Sequence, residues 1–353
     1  MNWTHSARYR EDLETVSSAN ISWQQLSDKT ILITGATGMI GSFLVDVIMY
    51  HNKHFQQNCS ILAVGRNEEK AKMRFAPYWD NPQFSFFSRD INNAIDIPTS
   101  ADFIIHAASN THPLAYATDP IGTILTNVQG TYNLLSWAKT QVSCRFLFVS
   151  SVEVYGENRG DVEKFDESYL GYLDCNTLRA GYPESKRVGE ALCQAFIKQE
   201  QMHAVIARLP RTYGPTMLET DTKAISQFLK NGIAGDDIVL KSEGNQLYSY
   251  AYVADAVVAL LLILLSGEDG QAYNVAGDVS DISLKDLALL VADHCGTKVV
   301  FDVPSDTEKA GFSKATKAVL DANKIKGLGY HMQYTMKKGV ERTLDILTKT
   351  GYF

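Results

Sequence analysis

Tyr182 and Lys186 stand four residues apart in Gly181-Tyr182-Pro183-Glu184-Ser185-Lys186, and thirty-one residues before the tyrosine lies Ser151 in Val149-Ser150-Ser151-Val152-Glu153-Val154-Tyr155-Gly156. On a helix, residues at i and i+4 share a face, so Lys186 can bring its ammonium near the Tyr182 phenol. A cation there favours the phenolate and lowers a pKa that starts near ~10. A serine hydroxyl converging on the same point can hold a carbonyl or alcohol oxygen while the tyrosine gives or takes its proton. The set reads as proton handling beside a hydride carrier. Glu153 is a second acid/base or an orienting group, because a glutamate so near the serine is too costly to bury without a partner. A tyrosine and a lysine at helical spacing are by themselves common packing, so the reading needs support from elsewhere in the chain.

That support comes from the other end. Lys29-Thr30-Ile31-Leu32-Ile33-Thr34 is a short apolar run of strand type, followed at once by Gly35-Ala36-Thr37-Gly38-Met39-Ile40-Gly41 and a helical pattern from Ser42 to Tyr50. Glycines between a strand and a helix are the context in which a backbone turn cradles a pyrophosphate. Gly35 permits the tight turn, Gly38 lets the backbone approach the phosphates, and Gly41 allows close helix packing, with the helix N-terminus facing the anion. Gly35, Thr37, Gly38, Met39, Ile40 and Gly41 are the dinucleotide-binding candidates of this turn, and Tyr182 and Lys186 complete the cofactor's surroundings.

Together the motifs resemble the extended short-chain dehydrogenase/reductase family, of the NAD-dependent epimerase/dehydratase type, whose glycine spacing is Gly-x-x-Gly-x-x-Gly. The order of later segments agrees: His106-Ala107-Ala108-Ser109 after the strand-like Phe103 to Ile105, Thr126-Asn127-Val128-Gln129-Gly130-Thr131, Arg208-Leu209-Pro210-Arg211-Thr212-Tyr213-Gly214-Pro215, and Tyr252-Val253-Ala254-Asp255. The resemblance covers about residues 28 to 345. It implies a nucleotide-diphosphate sugar as substrate, of the sort used for bacterial polysaccharide precursors. It also places Asp90 and Ile91 beside the adenine, Ala107 and Ala108 along the cofactor, and Asn127 near Lys186, while Asp255 caps or pairs structurally. The loop Ser109-Asn110-Thr111-His112-Pro113 follows the fourth strand, where open α/β sheets bind ligands. Ser109 and His112 are therefore substrate candidates, although a lone histidine is as readily a hydrogen-bonded loop residue.

Binders of unphosphorylated NAD usually place an acid after the second strand, whereas an arginine there accommodates a 2′-phosphate. Ile61-Leu62-Ala63-Val64 runs into Gly65-Arg66-Asn67, so Arg66 favours NADP(H), with NAD(H) possible if Glu68 or Glu69 serves the ribose instead. NADP(H) in turn favours net reduction of a keto group on the nucleotide-linked sugar, with Tyr182 supplying the proton. The alternative is a redox-neutral epimerase or UDP-glucuronate decarboxylase with tightly bound NAD, and a second alternative is a non-catalytic NADP-binding sensor. Nucleotide-sugar 4,6-dehydratases carry an aspartic acid where this chain has Val152, which has no proton to give. UDP-glucuronate decarboxylases share Glu153 in Glu-Val-Tyr-Gly, but their phosphate-holding arginine falls at Tyr248 in Gln246-Leu247-Tyr248-Ser249-Tyr250. Arg211, standing where relatives often have asparagine, can pair with a phosphate bidentately. Glu153, Arg211 and Tyr248 complete the substrate candidates.

Strand-like runs at Thr30 to Thr34, Ser60 to Val64, Phe84 to Phe87, Phe103 to Ile105 and Arg145 to Ser150 alternate with helical segments. The pattern predicts a Rossmann-type, doubly wound parallel sheet with a smaller mixed α/β C-terminal substrate-binding domain. The division expected is a helical extension over 1–27, a cofactor domain over 28–180 and a mainly substrate-binding region over 181–353, with His203 to Leu209 returning to the main sheet. Helices at Pro120 to Lys139 and Pro183 to Gln199 present apolar faces through Ile121, Ile124, Leu125, Val128, Tyr132 and Leu135, and through Val188, Leu192, Ala195 and Phe196. By family resemblance that pair forms a four-helix bundle in a homodimer. Of the residues, 45% are hydrophobic and 21% charged, with a net charge of −7 and no dense basic tract, which argues against nucleic acid as a partner. Val257 to Leu265, the longest apolar run, falls short of the ~20 residues of a membrane span and reads as a buried helix. Residues 1–23 lack a secretory signal pattern. Five cysteines without metal-ligand spacing suit reduced thiols, a cytoplasmic setting and no metal site.

Overall fold

The computed structural model describes residues 3, 6–111, 113–302 and 315–351. Its strands are β1 (Thr30–Thr34), β2 (Ser60–Gly65), β3 (Phe84–Ser88), β4 (Phe103–His106), β5 (Arg145–Ser151), β6 (His203–Leu209), β7 (Arg211–Tyr213), β8 (Ile238–Leu240), β9 (Leu247–Tyr252), β10 (Ala272–Asn274), β11 (Asp281–Ser283), β12 (Val299–Phe301) and β13 (Lys317–Ala318). The helices are α1 (Ala7–Ser17), α2 (Met39–Phe55), α3 (Glu68–Arg74), α4 (Pro113–Thr118), α5 (Pro120–Ala138), α6 (Gly181–Glu200), α7 (Ala224–Ala234), α8 (Val253–Ser266), α9 (Leu284–Cys295), α10 (Asn323–Lys326) and α11 (Met336–Thr350). Seven strands form a parallel sheet in the order β10-β6-β5-β4-β1-β2-β3. The chain reverses direction across the sheet between β1 and β4, and that is where a doubly wound sheet opens a ligand crevice.

Both faces of the sheet are covered, which is why its strands read as continuous apolar runs. Alternate side chains go to opposite layers. Ile31, Ile33, Ile105, Leu147 and Val205 join one core with residues of α1, α2 and α8. Leu32, Leu62, Ile104, Phe146, Phe148 and Ile206 join the other with Leu134 and Leu135 of α5 and Cys193 and Phe196 of α6. Every residue of α8 from Val253 to Leu265 is buried. Among the described residues no helix is long and apolar enough to cross a membrane.

The strands β7, β9, β11 and β13 make a second sheet, and β8 pairs with β12. β6 and β10, from the later half of the chain, belong to the main sheet. The extension at the N-terminus is built into the body. Tyr9, Asp12, Leu13 and Val16, spaced for one helical face, are buried on α1. Asp12 accepts hydrogen bonds from the Tyr252 hydroxyl at 2.6 Å, the Tyr334 hydroxyl at 2.8 Å and Arg342 Nε at 2.8 Å, tying α1 to β9 and α11. Asp255 acts structurally, accepting the backbone N–H groups of Gln333 at 2.8 Å and Tyr334 at 3.1 Å.

Two helices run further than their sequence patterns suggest. α6 begins at Gly181, with Pro183 in its first turn, where a missing N–H leaves no helical bond unmade. α2 continues to Phe55 and stops where Gln56 turns into the left-handed region, φ 54°.

Candidate active site

The glycine turn closes against the loop after β4. Gly35 has φ 67°, and a Cβ on it would lie 2.8 Å from both the Ala107 carbonyl oxygen and the Ala108 Cα. A Cβ on Gly41 would lie 2.4 Å from the Gly35 oxygen, so both positions accept only glycine. Gly38 caps α2 with no side chain to take its first N–H groups. Thr37, Met39 and Ile40 are half-buried around it. The Met39 carbonyl accepts from the Thr216 hydroxyl at 2.8 Å, which brings the later half of the chain to this turn. These features fit a dinucleotide pyrophosphate.

The flanking candidates line up along the same sheet edge. Arg66 is exposed just past β2, and its carbonyl accepts from Ser88 Oγ at 3.2 Å. Glu68, on the first turn of α3, pairs with Lys72 at 2.9 Å. Asp90 accepts from the Asn92 N–H at 3.0 Å, and the Ile91 carbonyl accepts from Asn133 at 2.8 Å. Asn127, buried in α5, accepts from Ser109 Oγ at 2.8 Å and donates to Ser185 Oγ at 2.9 Å, so it locks the β4 loop to the turn of α6 that carries Lys186. His112 lies outside the described residues.

Ser151 ends β5 and caps a short 3-10 turn over Val152–Tyr155, accepting from the Glu153 N–H at 3.3 Å. Tyr182, in the first turn of α6, is buried with its ring stacked on Tyr116 of α4, centroids 4.8 Å apart at 30°. Burial pushes the Tyr182 phenol up to about 12, against the opposing hydrogen bonds of the Ser151 and Tyr116 hydroxyls. Lys186, one turn further, is buried and donates from Nζ to the Val149 carbonyl at 2.8 Å. Burial pulls its ammonium down to about 7, against the attraction of Glu190. The expected lowering of the phenol by the lysine is therefore not found. Desolvation of the phenol outweighs every opposing contact, and the same desolvation weakens the lysine's charge.

Glu153 is held by two arginines. Its Oε2 accepts from Arg179 Nη2 at 2.8 Å, and its Oε1 lies 3.8 Å from Arg211 Nη2. The Arg179 guanidinium also sits 4.6 Å over the Tyr116 ring. Among the described residues, Arg179 Nε and Nη1 and Arg211 Nη1 are buried without a hydrogen-bond partner. Tyr248 does not offer its hydroxyl to the site: it donates to the Ala315 carbonyl at 2.8 Å, and its ring lies under Arg211.

Sequence reasoning missed Tyr116 and Arg179, which carry no distinguishing motif, and it placed His106 in a family segment without giving it a role. His106 bridges Thr34 at 2.8 Å and Thr131 at 3.0 Å, and burial pulls it down to about 3, so it is a neutral link between β1, β4 and α5. Among the described residues no group of three or more His, Cys, Asp or Glu side chains could hold a metal ion.

A doubly wound sheet carrying a glycine turn at its switch point and the Ser151 and Tyr182 pair at its carboxyl edge defines an enzyme of the extended short-chain dehydrogenase/reductase type. The chain belongs to the NAD-dependent epimerase/dehydratase family, whose model matches residues 31–276. UDP-glucuronic acid decarboxylase 6 of Arabidopsis thaliana is 31% identical over 306 residues, which span 85% of this chain and 86% of the relative. UDP-glucuronic acid decarboxylase 1 of Xenopus tropicalis is 29% identical over 91% of this chain and 72% of its own length. In fold the chain is similar to the UDP-glucuronic acid 4-epimerase of Bacillus cereus, solved with UDP-glucuronic acid and NAD, with a TM-score of 0.76 at 21% identity over 91% of this chain and 99% of that one. It is also similar to the dTDP-glucose 4,6-dehydratase DesIV of Streptomyces venezuelae, solved with NAD, with a TM-score of 0.78 at 23% identity over 92% and 98%.

Proposed function

We propose that the protein converts a nucleotide-diphosphate-linked sugar acid in a redox-neutral cycle, by decarboxylation or epimerisation, with NAD retained between turnovers. One observation carries the reading. Arg179, three residues before Tyr182, presents buried N–H groups that have no partner among the described residues, beside Glu153, two residues after Ser151. A guanidinium edge without a partner is costly to bury, and a carboxylate matches its fork geometry. The names of the relatives at 31% identity point to the same class of substrate.

The glycine turn and the N-terminus of α2 would hold the dinucleotide, and Lys186 and Asn127 would hold the end nearest Tyr182. A nicotinamide held there would supply reversible hydride transfer at the sugar carbon. Ser151 holds the reacting oxygen, and Tyr182 removes its proton in the oxidative half and restores it in the reductive half. Glu153 orients the sugar or moves a second proton. The C-terminal region, 181–353, supplies most of the substrate side. The exposed Ile121, Ile124, Leu125 and Tyr132 of α5 and Val188 of α6 form the two-fold contact of a homodimer.

A second reading, net reduction of a keto-sugar by NADPH, is favoured by Arg66 and by the absence of an acid between β2 and α3. The two are separated by identifying the nucleotide that co-purifies, by mass, and by following UDP-glucuronate by NMR. Retained NAD with turnover of the sugar acid, and no consumption of added NADPH, supports the cycle. Consumption of NADPH with a keto-sugar, in stoichiometric amount, supports the reductase.

A further inference from the structure

Arg211 extends from β7, the short strand beside β9, and its guanidinium carbon lies 3.4 Å from the centre of the Tyr248 ring. At that distance the planar group lies flat on the ring, which satisfies its face but leaves its edge to find hydrogen bonds. The ring is itself fixed, since the Tyr248 hydroxyl donates to the Ala315 carbonyl at 2.8 Å. Of that edge, Nη2 reaches toward Glu153 at 3.8 Å, and Nη1 is buried with no hydrogen-bond partner among the described residues. The single carboxylate of Glu153 thus faces two guanidinium groups, those of Arg179 and Arg211, leaving one net positive charge. An anion is the ligand that such a cluster lacks.

We infer that Arg211, held flat on Tyr248, is the second cation of the acid-binding subsite and selects carboxylate-bearing sugars over neutral ones. The inference rests on the sugar-acid reading above. The carboxylate, and not the diphosphate, is the group taken. Arg211 shares Glu153 with Arg179, and those two residues flank Ser151 and Tyr182 in sequence, at the proton-transfer end of the site. Tyr248 acts through Arg211, as the shelf that keeps its planar fork in register.

The test is calorimetric binding of UDP, UDP-glucose and UDP-glucuronate to the full-length protein and to Arg211→Gln, Arg211→Lys and Tyr248→Leu. Arg211→Gln is expected to weaken UDP-glucuronate about 10- to 100-fold, the range of a lost charge-assisted hydrogen bond, while UDP and UDP-glucose change less than about twofold. Arg211→Lys keeps the charge without the fork and is expected to recover part of the loss, and Tyr248→Leu to fall between Arg211→Gln and wild type. Retained UDP binding reports that each variant is folded. Equal weakening of all three ligands places Arg211 at the diphosphate and overturns the inference, as does an Arg211→Gln protein that keeps the wild-type preference for UDP-glucuronate. A wild-type protein that binds UDP-glucuronate no better than UDP-glucose overturns the sugar-acid reading itself.

Discussion

Lys186 and Tyr182 share a face of α6, yet the ammonium donates to the Val149 carbonyl at 2.8 Å and stands 5.9 Å from the centre of the tyrosine ring. One cause moves the two groups in opposite directions: burial takes Lys186 down to about 7 and Tyr182 up to about 12. Both shifts favour the uncharged forms. The phenol therefore carries its proton at neutral pH, the form that serves the reductive half, and it must give that proton up before it takes the sugar's in the oxidative half.

The lysine shift has a sign that unfolding can read. An unfolded lysine titrates near ~10.4. Between about pH 7 and pH 10 the unfolded chain carries a proton that the folded chain has released, so stability rises with pH in that window, by up to about 1.4 kcal/mol per unit. Below about pH 7 both states carry the proton and the full cost of burying the charge is present. Urea unfolding of wild type and Lys186→Met over that range is expected to show the wild type gaining on the variant as pH rises. A difference independent of pH would show that Lys186 is not perturbed in this direction.

Tyr182→Phe keeps the ring that stacks on Tyr116 and removes only the acid. Turnover is expected to fall by ~10²–10⁴ while thermal stability and dinucleotide binding stay near wild type. Steady-state kinetics on the sugar substrate decide it, and unchanged turnover would remove Tyr182 from the mechanism.

Arg66 separates the two cofactors. If it meets a 2′-phosphate, Arg66→Ala weakens NADPH by about 1.5–3 kcal/mol and leaves NADH nearly unchanged. Fluorescence titration with both nucleotides reads the difference. Equal effects on both, or a wild-type preference for NADH, would leave NAD as the cofactor and agree with the redox-neutral cycle.

The outer face of α5 and α6 bears on assembly. Ile121 is 72% exposed, Leu125 48%, Tyr132 49% and Val188 42%, a cluster that water disfavours. Light scattering at micromolar concentration is expected to give twice the 39.1 kDa chain mass, and Leu125→Glu to shift it toward the monomer. A wild-type mass near that of one chain would reject the dimer. Leu135 and Phe196, which share the sequence pattern of this face, are buried in the chain's own core and take no part in it.

Local rules made much of this protein legible. A strand followed by Gly35, Gly38 and Gly41 and then a helix has few backbone solutions, and the strands β1 to β6 appear where short apolar runs recur between helical segments. Tyr182 and Lys186 sit on one face because helical period alone puts them there. The fate of their charges is another matter, since burial depends on Tyr116, Phe148 and the β5 backbone, which no spacing along the chain relates to α6. The same holds for Glu153, Arg179, Arg211 and Tyr248, which come from a turn after β5, the approach to α6, β7 and β9. Glu153, Arg211 and Tyr248 stand out in sequence one by one, Arg179 reads as an ordinary polar residue, and no spacing relates the four. Only the folded chain brings two guanidinium groups, one from the approach to α6 and one from β7, onto one carboxylate, because through-space electrostatics depends on distances that the chain acquires when it folds.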